Sequence, residues 1–291
     1  MKDFQYLHPQ SFPGLIKLLS KHSGKVCLLA GGTDLLVMMK QGRSAPEYVV
    51  SLKDLPGLSY IREQKDGEVK IGVMTPLREV EDSTLLRSRY PALPKAAEWI
   101  GSPQIRRRAT CGGNLCNGAP SADLAPPLIC LEAKALIQGK TTRIIPLERF
   151  FLGPGKVDLG EGEFLREITV PPSAPRTYGA YQKFSRSAMD IAVVGVAAAA
   201  TFDRAGVCVV LKVCLGAVAP TPLRATGAEK LGIGNTWNNE IIQAVALKAS
   251  EESRPIDDIR GTIFLRKTLV EVLTRRVLLE CLEQARAENR T

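Results

Sequence analysis

The chain has 291 residues, of which 45% are hydrophobic and 24% charged, enough apolar material for two domains or one large one. Its net charge of +9 is spread along the chain and accompanied by only 5% aromatics, which argues against a nucleic-acid surface and leaves an anionic cofactor or acidic partner subunits to explain it. No apolar run approaches the roughly 18 residues of a membrane span, and no apolar signal core follows Met1-Lys2-Asp3-Phe4, so a cytoplasmic protein without a membrane span is expected.

Seven cysteines at irregular spacings, with no Cys-x-x-Cys, indicate neither a zinc site nor a self-contained iron–sulfur site. They read as reduced, buried thiols. With only His8 and His22 available, a histidine-based triad or metal site is disfavoured.

Phe12, Leu15, Ile16 and Leu19 have helical spacing behind Ser11, a plausible N-cap, with Pro13 in the first turn. Val26 to Ala30 reads as a buried strand feeding Gly31-Gly32. Thr33 or Asp34 is then placed to cap a short helix reaching Met39, and Tyr48 to Leu52 reads as the next strand. Leu58 to Ile61 and Val69 to Val73 are expected strands joined through Asp66-Gly67. Thr75 to Trp99 reads as helix broken by Pro91 and Pro94. An irregular loop follows from Thr110 to Asp123, and Asp123 starts a helix to about Glu132. Lys134–Ile137 with Thr142–Ile145 is an expected hairpin, Leu147–Phe151 a short helix and Phe164–Val170 a strand. Pro171-Pro172-Ser173-Ala174-Pro175 marks the domain boundary. Beyond it, Tyr178–Phe184, Ile191–Phe202 and Val207–Val218 read as three strands, and Asn239–Ala249 and Ile263–Arg286 as helices.

Two stretches carry the chemistry. Leu28-Leu29-Ala30-Gly31-Gly32-Thr33-Asp34-Leu35-Leu36 is an apolar strand running into a Gly pair, a Thr and a carboxylate. Thr110-Cys111-Gly112-Gly113-Asn114-Leu115-Cys116-Asn117-Gly118-Ala119-Pro120-Ser121-Ala122-Asp123 repeats that logic 81 positions later, counted from Gly31 to Gly112. Adjacent glycines let a backbone turn sharply and approach a ligand, and their N–H groups can converge on an anion. Two such loops suit a long ligand with a central pyrophosphate. A P-loop and a Gly-x-Gly-x-x-Gly following a strand are both missing, which disfavours a P-loop ATPase or a Rossmann dehydrogenase. Asp257-Asp258 are adjacent and cannot flank one substrate, so they read as a solvated turn.

The pair of loops resembles the flavin-binding loops of the FAD-binding subunit of molybdenum hydroxylases, the xanthine dehydrogenase and carbon monoxide dehydrogenase family. The resemblance extends through Phe4…Pro9…Ser11, Met39-Lys40-Gln41-Gly42, Gly101-Ser102-Pro103-Gln104-Ile105-Arg106 and Lys183-Phe184-Ser185-Arg186…Asp190-Ile191-Ala192-Val193. It implies an α+β chain: a two-subdomain FAD-binding fold of the vanillyl-alcohol oxidase type over residues 1–175, divided near 55, then a C-terminal domain over 176–291 with a three-stranded antiparallel sheet and a helix bundle.

By the same resemblance, Leu29, Ala30, Gly31, Gly32, Thr33, Asp34 and Leu35, with Thr110, Cys111, Gly112, Gly113, Asn114 and Leu115, wrap FAD, and Asn117 adds a short polar group. Asp123 matches an acidic residue that accepts from a ribose or adenine group, and it is also a candidate helix N-cap. Ile100 matches a position against the flavin ring, Leu165 an apolar adenine-side or ring-side contact, and Lys183 a lysine at the pyrimidine edge. Ser102, Arg107 and Ala119 depart from the family pattern without touching the Gly pairs. No catalytic side chain or metal is expected on this chain. A molybdopterin cofactor on a large partner and two [2Fe–2S] clusters on a small partner are implied, in a dimer of heterotrimers with NAD or another acceptor. A self-sufficient FAD oxidase or dehydrogenase of the related two-loop fold, and a non-catalytic nucleotide-binding subunit, remain open alternatives.

Overall fold

A computed structural model describes residues 1–288; residues 289–291 of the expected C-terminal domain lie outside the described residues. The N-terminal unit is β1 (Gln5–Leu7), α1 (Phe12–Lys21), β2 (Val26–Leu29), α2 (Leu35–Lys40) and β3 (Tyr48–Ser51). Its three strands form a parallel sheet in the order β1-β3-β2. Ser11 caps α1 by accepting from the Gly14 N–H at 3.3 Å.

The second unit runs through β4 (Ile61–Glu63), β5 (Val69–Gly72), α3 (Leu77–Asp82), α4 (Thr84–Arg89), α5 (Ala92–Glu98), α6 (Pro103–Arg106), α7 (Cys111–Cys116) and α8 (Ala125–Cys130). It continues with β6 (Lys134–Gln138), β7 (Thr142–Pro146), a 3-10 turn at Leu147–Arg149, β8 (Phe151–Gly153), β9 (Lys156–Val157) and β10 (Phe164–Val170). Its antiparallel sheet has the order β4-β5-β10-β6-β7. The helical stretch breaks at Ser83, whose hydroxyl accepts from the Leu86 N–H, and again before Ala92. Pro94 does not break α5, because it sits in the first turn, where no intrahelical N–H bond is required.

The C-terminal unit is β11 (Thr177–Phe184), β12 (Val194–Phe202), β13 (Cys208–Gly216), β14 (Leu223–Arg224), α9 (Thr226–Gly232), α10 (Asn239–Glu252) and α11 (Ile263–Glu288). The sheet has four antiparallel strands rather than the expected three, since the two-residue β14 pairs with Cys214 and Leu215. So short a strand carries no periodic signal of its own.

Two apolar cores result. The larger lies under the first two units; the smaller lies between the C-terminal sheet and α9–α11. Strand β12 is buried at every position. Val196, Ala198 and Ala200 face the helices, whereas Ala197 and Ala199 join the larger core with Tyr181 and Cys214. A strand covered on both faces needs an uninterrupted apolar run, and alanine lets both layers approach closely. The face of β11 that bears Tyr181 and Lys183 therefore looks into the first half of the molecule.

Candidate functional site

The first glycine loop leaves β2 and enters α2. A Cβ on Gly31 would stand 2.0 Å from the Arg108 carbonyl oxygen, so the backbone can lie directly on the segment preceding the second loop only because Gly31 has no side chain. Gly32 follows with φ +78, in the left-handed region. Among the described residues no acceptor takes the N–H groups of Gly31, Gly32, Thr33, Asp34 or Leu35. Successive free donors around a positive-φ residue form an anion-binding concavity. Asp34 occupies the N-cap position of α2 but makes no capping bond, contrary to its expected role. Partial burial raises the pKa of its carboxyl.

The second loop is built differently from the expected irregular segment: its first half is helix α7. Thr110 caps it, accepting from the Gly113 N–H at 3.0 Å. The Cys111 N–H donates to the Thr75 carbonyl at 2.9 Å, that of Gly112 to Val73 at 2.8 Å and that of Asn114 to Thr110 at 3.0 Å. These four donors are thus spent inside the protein, contrary to the expectation that both loops offer backbone N–H groups to an anion; only the first leaves its N–H groups free. Gly112 permits the packing, since a Cβ there would meet the Val73 Cβ at 2.5 Å. From within α7, the Asn114 side chain accepts from the Leu124 N–H at 3.4 Å. Leu124, not Asp123, occupies the N-cap position of α8, and no side chain caps that helix.

Asp123 is instead part of a buried network. Tyr181 donates its hydroxyl to Asp123 Oδ1 at 2.6 Å, and Lys183 Nζ donates to Oδ2 at 3.1 Å and to the Trp99 carbonyl at 3.0 Å. The lysine and aspartate side chains are 1% and 6% exposed. Burial raises the Asp123 pKa, opposed by the Lys183 charge and the two hydrogen bonds. Burial and the adjacent carboxylate raise the Tyr181 phenol well above its usual value. Gly195, opposite Lys183 in the ladder, leaves room for the Tyr181 hydroxyl, which lies 2.8 Å from where a Cβ would be.

These parts enclose one cleft of about 620 Å³, within the ~300–1,000 Å³ usual for ligand pockets. Its wall takes Ala30, Gly31, Gly32, Thr33, Asp34 and Leu35 from the first loop, and Thr110, Gly112, Gly113, Asn114 and Asn117 from the second. Ile100, Asp123, Leu165 and Lys183 line it as well. Leu29, Cys111 and Leu115 do not: the last two are fully buried in the larger core, and Leu29 sits behind Gly32. Burial lifts the Cys111 and Cys116 thiols to about 12, so both remain neutral. Among the described residues the wall carries three carboxylates, Asp34, Asp123 and Asp190, against the single cation Lys183. Side-chain charge in the wall is therefore net negative, and the free N–H groups of the first loop are its largest set of unspent backbone donors.

Comparison with known proteins decides the family. Residues 2–173 match the model for the FAD binding domain in molybdopterin dehydrogenase, and residues 179–281 match the CO dehydrogenase flavoprotein C-terminal domain. The chain belongs to the FAD-binding subunits of the molybdopterin dehydrogenases. It is 34% identical to the carbon monoxide dehydrogenase medium chain of Hydrogenophaga pseudoflava over 277 residues, covering 94% of this chain and 96% of that one. Identity to the xanthine dehydrogenase FAD-binding subunit of Escherichia coli O157:H7 is also 34%, over 89% of each chain. The solved carbon monoxide dehydrogenase from H. pseudoflava superposes with a TM-score of 0.93 at 33% identity, covering 98% of each chain. Quinoline 2-oxidoreductase from Pseudomonas putida 86 gives 0.92 at 26%, covering 98% of this chain and 99% of that one. The fold is the expected α+β FAD-binding domain followed by a C-terminal domain, and the protein is an oxidoreductase subunit.

Within this molybdopterin dehydrogenase subunit, sequence reasoning missed the contribution of Met189, Asp190 and Ile191 to the cleft, and the burial of Arg106. Arg106 stands in a run of three arginines, a pattern that reads as solvated surface; only Arg107 and Arg108 are exposed. Among the described residues no group of three or more His, Cys, Asp or Glu side chains could hold a metal, and no helix is long and apolar enough to cross a membrane.

Proposed function

We propose that this chain holds FAD between its two glycine loops and passes electrons between [2Fe–2S] clusters on a small partner subunit and an external acceptor such as NAD. A large partner carries the molybdopterin cofactor at which substrate is oxidised, and the complex is a cytoplasmic dimer of heterotrimers. In this reading residues 1–175 form the FAD-binding half and 176–291 the C-terminal domain. The observation that carries it is the cleft wall, with five unspent N–H groups on one loop and, among the described residues, a single side-chain cation, Lys183, that is already paired with Asp123.

The residues present fit the group. The N–H groups of Gly31 to Leu35 hold the diphosphate, and Thr33, Thr110, Asn114, Asn117 and Asp123 supply short polar contacts for the ribitol and adenylate. Ile100, Leu165 and Lys183 meet the ring. When bound, FAD supplies the exchange between one-electron and two-electron carriers. Lys183 places a cation beside the ring, and Asp123 partly offsets its charge. A self-sufficient oxidase would need a proton-transfer group facing substrate; among the described residues the wall has no histidine, Asp123 and Asp190 are ion-paired, and the remaining carboxylate, Asp34, stands on the loop assigned to the diphosphate.

Heat release of the cofactor followed by mass measurement tests the assignment: FAD is expected, and FMN or no flavin in a folded native complex overturns it. Size-exclusion chromatography with metal analysis should find the chain with two unlike partners, molybdenum and iron. Lys183→Met should lower the flavin midpoint potential while FAD content is kept. An unchanged potential together with an unchanged rate of flavin reduction removes Lys183 from the site.

A further inference from the structure

Ile100 and Gly101 of the turn Trp99–Ile100–Gly101 line the cleft, and the three carbonyls of the turn are all held by buried cations. Lys183 Nζ takes the Trp99 oxygen at 3.0 Å. Arg106 Nη1 takes those of Ile100 and Gly101 at 3.2 and 3.3 Å. The rest of the Arg106 fork is spent on Glu81: Nε donates to Oε2 at 2.7 Å and Nη2 to Oε1 at 3.3 Å. Arg106 and Glu81 are only 6% and 8% exposed.

The planar guanidinium fixes all these directions at once. It ties α3, which bears Glu81, to the turn that bears Ile100. In a trans peptide the C=O and N–H point opposite ways, so turning the Ile100 carbonyl toward Arg106 turns the Gly101 N–H away from it. That N–H has no acceptor among the described residues, and Gly101 lines the cleft with φ +52. An ion pair this deeply buried is not needed for stability as such, because an apolar pair of similar volume serves a core equally well. What an apolar pair cannot do is orient two carbonyls.

We propose that Arg106, braced by Glu81, is a positioning residue for the flavin: it sets the turn so that the Ile100 side chain and the Gly101 N–H face the bound ring. This rests on the FAD assignment above. Lys183 secures the same turn from the opposite side, so the two halves of the chain meet at these carbonyls.

Two variants in the full chain, assembled in its native complex, test the idea. Arg106→Lys keeps the charge toward Glu81 but has no fork to span the carboxylate and both carbonyls. Arg106→Met combined with Glu81→Gln removes both buried charges together, and Arg78, which also pairs with Glu81 at 3.1 Å, keeps Asp82 at 2.6 Å. Far-UV circular dichroism melting serves as the control for folding. FAD affinity after cofactor removal and the visible-region circular dichroism of the bound flavin are the readouts. Both variants should fold, bind FAD at least tenfold more weakly and show an altered flavin dichroism. Folded variants with wild-type affinity and dichroism overturn the proposal. Failure of both to fold also overturns it, by making Arg106 a core element only. A wild-type complex without flavin would instead refute the FAD assignment.

Discussion

The two glycine loops share a written pattern and divide the work between them. In the first, Gly31 lies against the Arg108 carbonyl, Gly32 turns the chain at φ +78, and the following N–H groups stay free. In the second, Gly112 packs on Val73, and the N–H groups of Cys111, Gly112, Gly113 and Asn114 are consumed by Thr75, Val73 and Thr110. One loop is a set of donors; the other is a capped helix that supports it. A Gly-Gly-polar string thus shows that the backbone approaches something closely, but not whether that is a ligand or another strand.

The sharpest way to break this contrast is Gly31→Ala. Its methyl would stand 2.0 Å from a backbone oxygen that cannot swing aside, so destabilisation at or beyond the upper end of ~1–3 kcal/mol is expected. Chemical denaturation should show a much lower midpoint, and a wild-type midpoint would mean the loops are not packed as described.

Gly113→Ala should behave oppositely. Its Cβ meets only the Thr110 hydroxyl at 3.0 Å and the Ala30 Cβ at 3.9 Å, and alanine in a helix gains roughly 0.5–1 kcal/mol over glycine. Stability should stay near wild type, while the methyl reaches toward the first loop and weakens FAD binding by about tenfold, ~1.4 kcal/mol. Calorimetric titration with FAD would separate the two effects.

Thr110→Ala removes a cap that Asp34 lacks on its own helix. It should cost about 1 kcal/mol, seen as a lower denaturant midpoint for Thr110→Ala and none for Asp34→Asn.

The smallest effect is the pH dependence of that second variant. Partial burial holds Asp34 above its ordinary 3.8 in the folded chain. Between the unfolded and folded values the native state binds more protons, so wild-type stability falls as pH rises through that window. Asp34→Asn lacks this slope and should gain slightly on wild type between pH 3 and 7, by little because the partly buried residue still keeps more than a third of its surface in solvent. Parallel denaturation curves at the two pH values would show it.

Much of the architecture was legible in the residues themselves. Strand Phe164–Val170 has the expected limits, and α10 and α11 follow their apolar periodicity. Helix α7 was not legible, because Cys111-Gly112-Gly113-Asn114 has poor helix propensity and is held by Thr110 and by bonds to Thr75 and Val73. The extra strand β14 was hidden by its length. Lys183 was placed beside Tyr181 by strand alternation, and both do face Asp123.

Local pattern therefore determined most of the longer strands, the long helices and the place of both glycine loops, and the resemblance of those loops pointed to the family. Such features depend on interactions within a few residues, or on backbone freedom that only glycine provides. The tertiary structure decided which N–H groups remain free, which glycine faces a neighbour rather than the cleft, and where charges pair. Asp123 meets Tyr181 and Lys183 across 58 and 60 positions, and Arg106 meets Glu81 across 25. An arginine beside two exposed arginines is indistinguishable from them until the chain folds, because burial is a property of what packs over a residue and not of the residue itself.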